Sequence, residues 1–172
     1  MPLNEDGLAG SHIMGEIDSV EEIIEYAIAK ELEAYELYMA LSKRVRNPQM
    51  RKLLEELAKE ELEHKAKLEL EIMKAGKAVT ETVRSAEAKA HAKAVVGEMM
   101  AAAPSELEQM DYEDMLFLGI KKEKLSFRLY IDLAQMVENA ESREVLISLA
   151  EEEARHKVRF EMEYDEVVRK EK

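Results

Sequence analysis

The chain contains two copies of one sequence unit, and this repeat limits its possible folds more than any other feature. Residues 27–45 align with residues 119–137, and residues 51–71 align with residues 143–163, at a constant offset of 92 residues. Seven of 19 positions are identical in the first pair of segments, and 10 of 21 in the second. An offset that holds across both segments without a gap indicates a duplicated structural unit.

Each unit is predicted to be a pair of antiparallel helices joined by a short turn. The 172 residues include only six Gly and three Pro, and charged residues make up 37% of the chain, a composition typical of long helices. Asn47 and Pro48 separate the first helix from the second, and residues 139–142 separate the third from the fourth. Asp111 is the predicted N-terminal cap of the third helix.

The connection between the two units is long. It covers residues 75–110, and its Ala-rich middle, residues 80–103, is predicted to be helical up to Pro104. A duplicated helix hairpin with one long, partly helical crossover indicates an all-α, ferritin-like four-helix bundle rather than a simple up-down bundle. We therefore expect one domain over residues 16–172, with the first repeat at about 18–74 and the second at about 111–168. Residues 1–15 include the stretch GSHIM and are interpreted as a disordered tail and cloning remnant.

Composition and charge exclude several classes of function. The absence of Cys excludes disulfides, zinc ribbons and cysteine nucleophiles. A formal net charge of −13 argues against a nucleic-acid partner, because phosphate groups would be repelled. No apolar run reaches the roughly 20 residues of a membrane span, so no membrane partner is expected. No secretory signal is visible in the first fifteen residues, and a cytoplasmic location is therefore predicted.

Each predicted helix carries one glutamate within its otherwise apolar or small-residue stripe. In the second helix this stripe reads Leu54, Leu57, Glu61, His64 and Leu68. The fourth helix repeats that order except that Phe160 takes the last position, and in both a histidine follows the glutamate by three residues on the same face. The first and third helices carry only the glutamate. The six stripe residues with metal-binding side chains are Glu31, Glu61, His64, Glu123, Glu153 and His156.

Buried carboxylates need positive charge close by. An uncompensated one costs several kcal/mol, and four that converge in one bundle would repel one another. Two divalent cations would balance the four carboxylates, and two neutral imidazoles would complete the ligand set. One Glu from each of two helices and Glu-x-x-His from each of two others is the ligand pattern of di-iron and di-manganese carboxylate bundles. We expect Glu61 and Glu153 to bridge the metals, and Glu31 and Glu123 to be terminal ligands.

Residues near the predicted ligands are expected to support them. Tyr38 and Tyr130 follow the first- and third-helix glutamates by seven residues, so each is expected to donate its hydroxyl to a ligand carboxylate or to stand near the substrate. The alternative is that both are ordinary core aromatics. Glu60 is predicted to reach His156, and Glu152 is predicted to reach the histidine of the first repeat. These contacts would fix the tautomer of each ring.

The chain resembles the rubrerythrin group of the ferritin-like superfamily. The resemblance covers most of residues 23–72 and 116–164, through the segments AIAKELEAYELY, EELEH, KKEKLSFRLY and EEEARH and the Glu-to-Tyr spacing of seven. It implies a non-haem centre of two iron ions, with Mn or Zn as substitutes, held by the six stripe residues. It also implies an oxidoreductase that reduces hydrogen peroxide or O₂, and a homodimer. The long crossover could in addition exchange hairpins between the two chains.

Two departures from that family refine the prediction. Rubrerythrins with a rubredoxin-like domain carry a four-cysteine iron, and a chain without Cys needs a separate electron-donor protein such as a rubredoxin. Those proteins also carry an extra carboxylate on the third helix, whereas the corresponding neighbours here are Ile120 and Ser126. The alternatives left open are a ferroxidase or iron-binding protein, a manganese catalase-like centre, and a metal-free helical scaffold.

Overall fold

Four long helices form the two main segments of the chain that the structure describes. The computed structural model describes residues 20–78 and 110–170, together with Ala90 and Ala94 between these ranges. The helices are α1 (Val20–Arg44), α2 (Pro48–Ala78), α3 (Tyr112–Met136) and α4 (Ala140–Lys170). The predicted tail at 1–15 lies outside the described residues, and so does the predicted helix at 80–103 apart from Ala90 and Ala94, which are helical.

The helix bounds reproduce the sequence repeat. Helices α1 and α3 each have 25 residues, and α2 and α4 each have 31. Every helix in the second unit begins and ends 92 residues after its counterpart in the first. Helix α2 continues to Ala78, beyond the predicted end of the first repeat at residue 74.

Equivalent turns end α1 and α3. The side chain of Asn47 accepts hydrogen bonds from the amides of Gln49 and Met50 at 2.9 and 3.5 Å, which caps the start of α2. Asn139 caps α4 in the same way, through the amide of Ser142 at 3.0 Å. The fourth helix therefore begins inside the segment 139–142 that was predicted to be a turn. Asp111 caps α3 by accepting from the amide of Asp114 at 2.7 Å, which confirms the predicted cap.

The helices form two hairpins that pack into a four-helix bundle, as predicted. Helix α1 packs along α2, and α3 packs along α4; the hairpins meet where α1 contacts α3 and α2 contacts α4. One hydrophobic cluster joins the start of α1 to the end of α3, so these two helices are antiparallel. Consequently α2 and α3 run in the same direction, and the end of α2 and the start of α3 lie at opposite ends of the bundle. Among the described residues, no helix has an apolar stretch long enough to cross a membrane.

Two hydrophobic clusters fill the interior and leave a polar layer between them. The first contains Ile23 and Ala27 from α1 with Leu68 from α2. The second contains Ala34 from α1 and Ala58 from α2. On both helices the stripe glutamate falls between the two clusters, and the repeat places the α3 and α4 glutamates at the same level. The apolar packing above and below thus holds this layer away from water.

Candidate metal centre

The structure brings all six predicted ligands together in the polar layer. Four of them are completely buried glutamates, and the two histidines are at most 2% exposed. The ligand atoms form two overlapping groups, and within each group they lie within 4.8 Å of one another. The groups are Glu31, Glu61, His64 and Glu153, and Glu61, Glu123, Glu153 and His156. By contrast, the other α2 glutamates at 55, 56 and 63 are exposed.

The two groups share Glu61 and Glu153. These residues come from α2 and α4, the helices that carry the Glu-x-x-His motif, and each has a carboxylate oxygen within 3.9 Å of Nδ1 of both histidines. Glu31 belongs to the first group and Glu123 to the second. Two positions that share two carboxylates fit the expectation of two bridging and two terminal glutamates.

The histidines point the same ring atom into the cluster. Nδ1 of His64 lies 3.1 Å from Glu153 Oε1, and Nδ1 of His156 lies 2.8 Å from Glu61 Oε1. The two rings are stacked, with centroids 5.6 Å apart and planes at 10°. Each histidine therefore approaches the glutamate of the opposite repeat.

The other ring nitrogen of each histidine meets a carboxylate outside the cluster. Nε2 of His64 lies 2.5 Å from Glu152, and Nε2 of His156 lies 2.6 Å from Glu60. Both contacts confirm the pairings predicted from the sequence. A proton held on Nε2 by these carboxylates leaves Nδ1 free to bind a metal ion.

Both predicted tyrosines donate to a cluster glutamate, and each does so across the repeat. The hydroxyl of Tyr38 on α1 donates to Glu123 on α3, and the hydroxyl of Tyr130 on α3 donates to Glu31 on α1. Both side chains are at most 1% exposed. Burial raises the pKa of each phenol well above its ordinary value, and the nearby carboxylates raise it further. Both hydroxyls therefore keep their protons and remain donors.

Lys122 is a site residue that the sequence reasoning missed. Its side chain is 11% exposed, and its ammonium lies 3.0 Å from Glu61, 3.4 Å from Glu153, 3.5 Å from Glu31 and 3.8 Å from Glu123. A single positive charge thus contacts all four cluster carboxylates. The available signal was its spacing, three residues after Gly119 and four before Ser126, which places it on the face of the α3 stripe.

The pKa values of the cluster carboxylates are shifted in different directions. Burial and the charges of Glu153 and Glu61 raise the pKa of Glu31 well above its ordinary value. Burial and Glu123 raise the pKa of Glu153 to about 8. Burial also acts to raise the pKa of Glu61, but the nearby Lys122 ammonium and its other partners hold that pKa well below the usual range.

The histidines carry positive charge in this arrangement. Burial acts to lower the pKa of His156, but the carboxylates of Glu123 and Glu61 outweigh it and raise the pKa to about 11. Burial also acts to lower the pKa of His64, but hydrogen bonds to Glu153 and Glu31 outweigh it and raise that pKa. Because metal binding requires a neutral imidazole nitrogen, loading this site must release protons.

The donor set fits divalent metal ions. Carboxylate oxygen and imidazole nitrogen are ligands that iron, manganese and zinc accept. One buried oxygen, Oε2 of Glu123, has no hydrogen-bond partner in the described part of the chain. An unpaired buried carboxylate oxygen on a residue that is grouped with two further ligand glutamates is most simply explained as a metal ligand.

Comparison with known proteins gives one family match and one structural match. The family model described as Rubrerythrin matches residues 22–164. A solved structure of a hypothetical protein from Pyrococcus furiosus is 21% identical, with a TM-score of 0.63 over 91% of this chain and 96% of that one. At this identity the likeness shows the fold alone. No curated protein matches the chain.

Proposed function

Since the chain belongs to the rubrerythrin family, we propose that it is a non-haem di-iron oxidoreductase that reduces hydrogen peroxide or O₂ in the cytoplasm. The observation that carries the proposal is the pair of overlapping ligand groups that share Glu61 and Glu153. When bound there, two iron ions would supply electrons for reduction and would stabilise negative charge on both oxygens as the O–O bond breaks.

The residues of the chain would position the ligands and control protons. Glu60 and Glu152 would hold the Nε2 proton of each histidine, so that both rings present Nδ1 to the centre. Tyr38 and Tyr130 would fix the two terminal glutamates through their hydroxyls. The two hydrophobic clusters would exclude bulk water from the reaction. Re-reduction requires electrons from outside, and we expect a separate donor protein such as a rubredoxin and a homodimeric assembly.

Rapid mixing of the Fe(II)-loaded protein with hydrogen peroxide tests this proposal. The wild-type chain should oxidise its iron much faster than free Fe(II) reacts under the same conditions. Glu61→Ala should lose this reaction, whereas Glu63→Ala, at an exposed position of the same helix, should retain it. Equal oxidation rates in the wild-type protein and Glu61→Ala would refute the proposal.

One observation favours a second candidate, a metal-free helical scaffold. The ammonium of Lys122 already contacts all four carboxylates, so the bundle holds part of its counter-charge without any metal. This candidate predicts that a chelator leaves the melting temperature unchanged and that the purified protein contains no stoichiometric metal. The di-iron proposal predicts a clear fall in melting temperature after chelation.

A further inference from the structure

We propose that Lys122 is an internal counter-ion of the metal-free site, which competes with metal ions for the carboxylates and turns away when they bind. The inference rests on the proposed metal-binding function. It concerns how the chain stays folded around four buried glutamates before metal ions bind, and which group the metal ions must displace.

The sequence repeat shows why this lysine turns inward. The equivalent residue in the first unit is Lys30, which directly precedes Glu31 as Lys122 precedes Glu123. Its ammonium lies 2.8 Å from Glu33 and 5.3 Å from the centre of the Tyr26 ring. Two groups on α1 itself, of which Glu33 is 57% exposed, therefore hold Lys30 away from the carboxylate cluster.

Both of these groups are missing from the second unit. The positions equivalent to Tyr26 and Glu33 are Leu118 and Leu125, and Leu125 is only 3% exposed. Neither leucine can pair with an ammonium. The nearest negative charges that the structure offers Lys122 are those of the cluster, which explains why two equivalent lysines adopt different positions.

Charge balance makes Lys122 and a full metal complement incompatible. In the metal-free site the Lys122 ammonium, together with the two positively charged histidines, partly compensates the four glutamates. Two divalent cations would balance the same four carboxylates completely, and the ammonium would then add a surplus positive charge beside the metals. It would also occupy space within 3.0 Å of Glu61, a predicted bridging ligand. The ammonium must therefore leave, and its departure weakens the apparent affinity for metal.

Three proteins test the proposal: wild type, Lys122→Met and the matched control Lys30→Met. Each is stripped with a chelator and titrated with Co²⁺, which stands in for Fe(II) without reacting with O₂. We expect the melting temperature of metal-free Lys122→Met to fall by on the order of 10 °C, because a buried charge partner is removed. Lys30→Met should change it by no more than about 2 °C, because its partner Glu33 is 57% exposed and water screens the pair.

Metal affinity gives the decisive result. Lys122→Met should bind Co²⁺ at least ~10-fold more tightly than the wild-type chain, because no ammonium has to be displaced. Lys30→Met should bind as the wild type does. Acylation of lysines followed by peptide mass spectrometry should find Lys122 protected in the metal-free wild type and labelled in the Co²⁺-loaded protein, with the labelling of Lys30 unchanged.

The outcomes separate failure of this inference from failure of the proposed function. Wild-type affinity in Lys122→Met, or equal labelling of Lys122 with and without Co²⁺, would overturn the inference while leaving the metal site intact. Absence of Co²⁺ binding by the wild type would overturn both. If Lys122→Met folds only with Co²⁺, the role as counter-ion is supported, and Lys122→Gln then provides the affinity measurement on a chain that keeps a polar side chain.

Discussion

Replacing Tyr38 by Phe should destabilise the metal-free protein through the loss of one hydrogen bond across the repeat. The tyrosine hydroxyl donates to Glu123, and both side chains are fully buried. The Tyr38 ring also packs against Phe160, with centroids 4.7 Å apart. Phe retains this ring contact, so the change in stability reports the hydroxyl alone.

The expected loss of stability in Tyr38→Phe follows from the charge of the hydrogen-bond acceptor. A hydrogen bond to a charged group contributes about 1.5–3 kcal/mol to stability. For a domain of this size, 1 kcal/mol corresponds to about 2–4 °C in melting temperature, so the loss should be roughly 3–12 °C. Thermal unfolding of the chelator-treated protein, followed by circular dichroism, measures it. Tyr164→Phe is the control, because its hydroxyl contacts Glu113 at the protein surface and its loss should leave the melting temperature unchanged.

A double-mutant cycle tests which glutamate the tyrosine holds. Tyr38→Phe combined with Glu123→Gln should show a coupling energy of about 0.5–3 kcal/mol. The combination with Glu31→Gln, in the tyrosine's own helix, should be closer to additive because no hydrogen bond joins that pair. Coupling to Glu31 in place of Glu123 would refute the cross-repeat arrangement. A melting temperature for Tyr38→Phe equal to that of the wild type would refute the hydrogen bond itself.

Two further substitutions and a change of pH should alter metal binding or stability in the following ways. Glu152→Gln should weaken metal binding by about 10–100-fold in a Co²⁺ titration, because the carboxylate no longer orients His64. Gly119→Ala should raise the free energy of unfolding in urea by up to ~1 kcal/mol, because the nearest atom to an added Cβ lies at 3.5 Å and helical Gly is unfavourable. The metal-free protein should lose stability in urea between pH 5 and pH 9, because the folded pKa values of Glu153 and His156 are raised to about 8 and about 11. A group whose pKa is raised by folding stabilises the folded protein at low pH, and this contribution is lost as the pH rises to the pKa of the folded state. Metal affinity should rise over the same pH range, because binding releases protons. A metal-free protein that is equally stable at pH 5 and pH 9 would contradict the raised pKa values of Glu153 and His156.

The repeat allowed the fold to be predicted in some detail. A constant offset places equivalent residues at equivalent points of two helix hairpins, and a glutamate within an apolar stripe must lie in the bundle interior. Because these relations depend only on spacing, the convergence of Glu31, Glu61, Glu123 and Glu153 followed from the sequence. The carboxylate partners of both histidines were predictable for the same reason.

Side-chain direction was harder to predict than position. Spacing along α1 placed Tyr38 on the face of Glu31, but a long side chain in a bundle reaches the neighbouring helix, and its acceptor is Glu123. Lys122 was missed because a lysine in a Glu- and Lys-rich helix is normally solvated. Its inward position depends on two leucines that replace the partners of Lys30, which becomes visible only when the two repeats are compared as structures. The identity of the metal remains a proposal, since the same ligands accept several divalent ions.

Anomalous diffraction from crystals of the iron-loaded protein is the most direct test of the central claim, that paired cations bind between the glutamates of the polar layer. Data collected on both sides of the iron absorption edge should give two peaks per chain, each contacted by one histidine and both by Glu61 and Glu153. Iron found only at surface carboxylates, with the Lys122 ammonium still among the four buried glutamates, would contradict the claim.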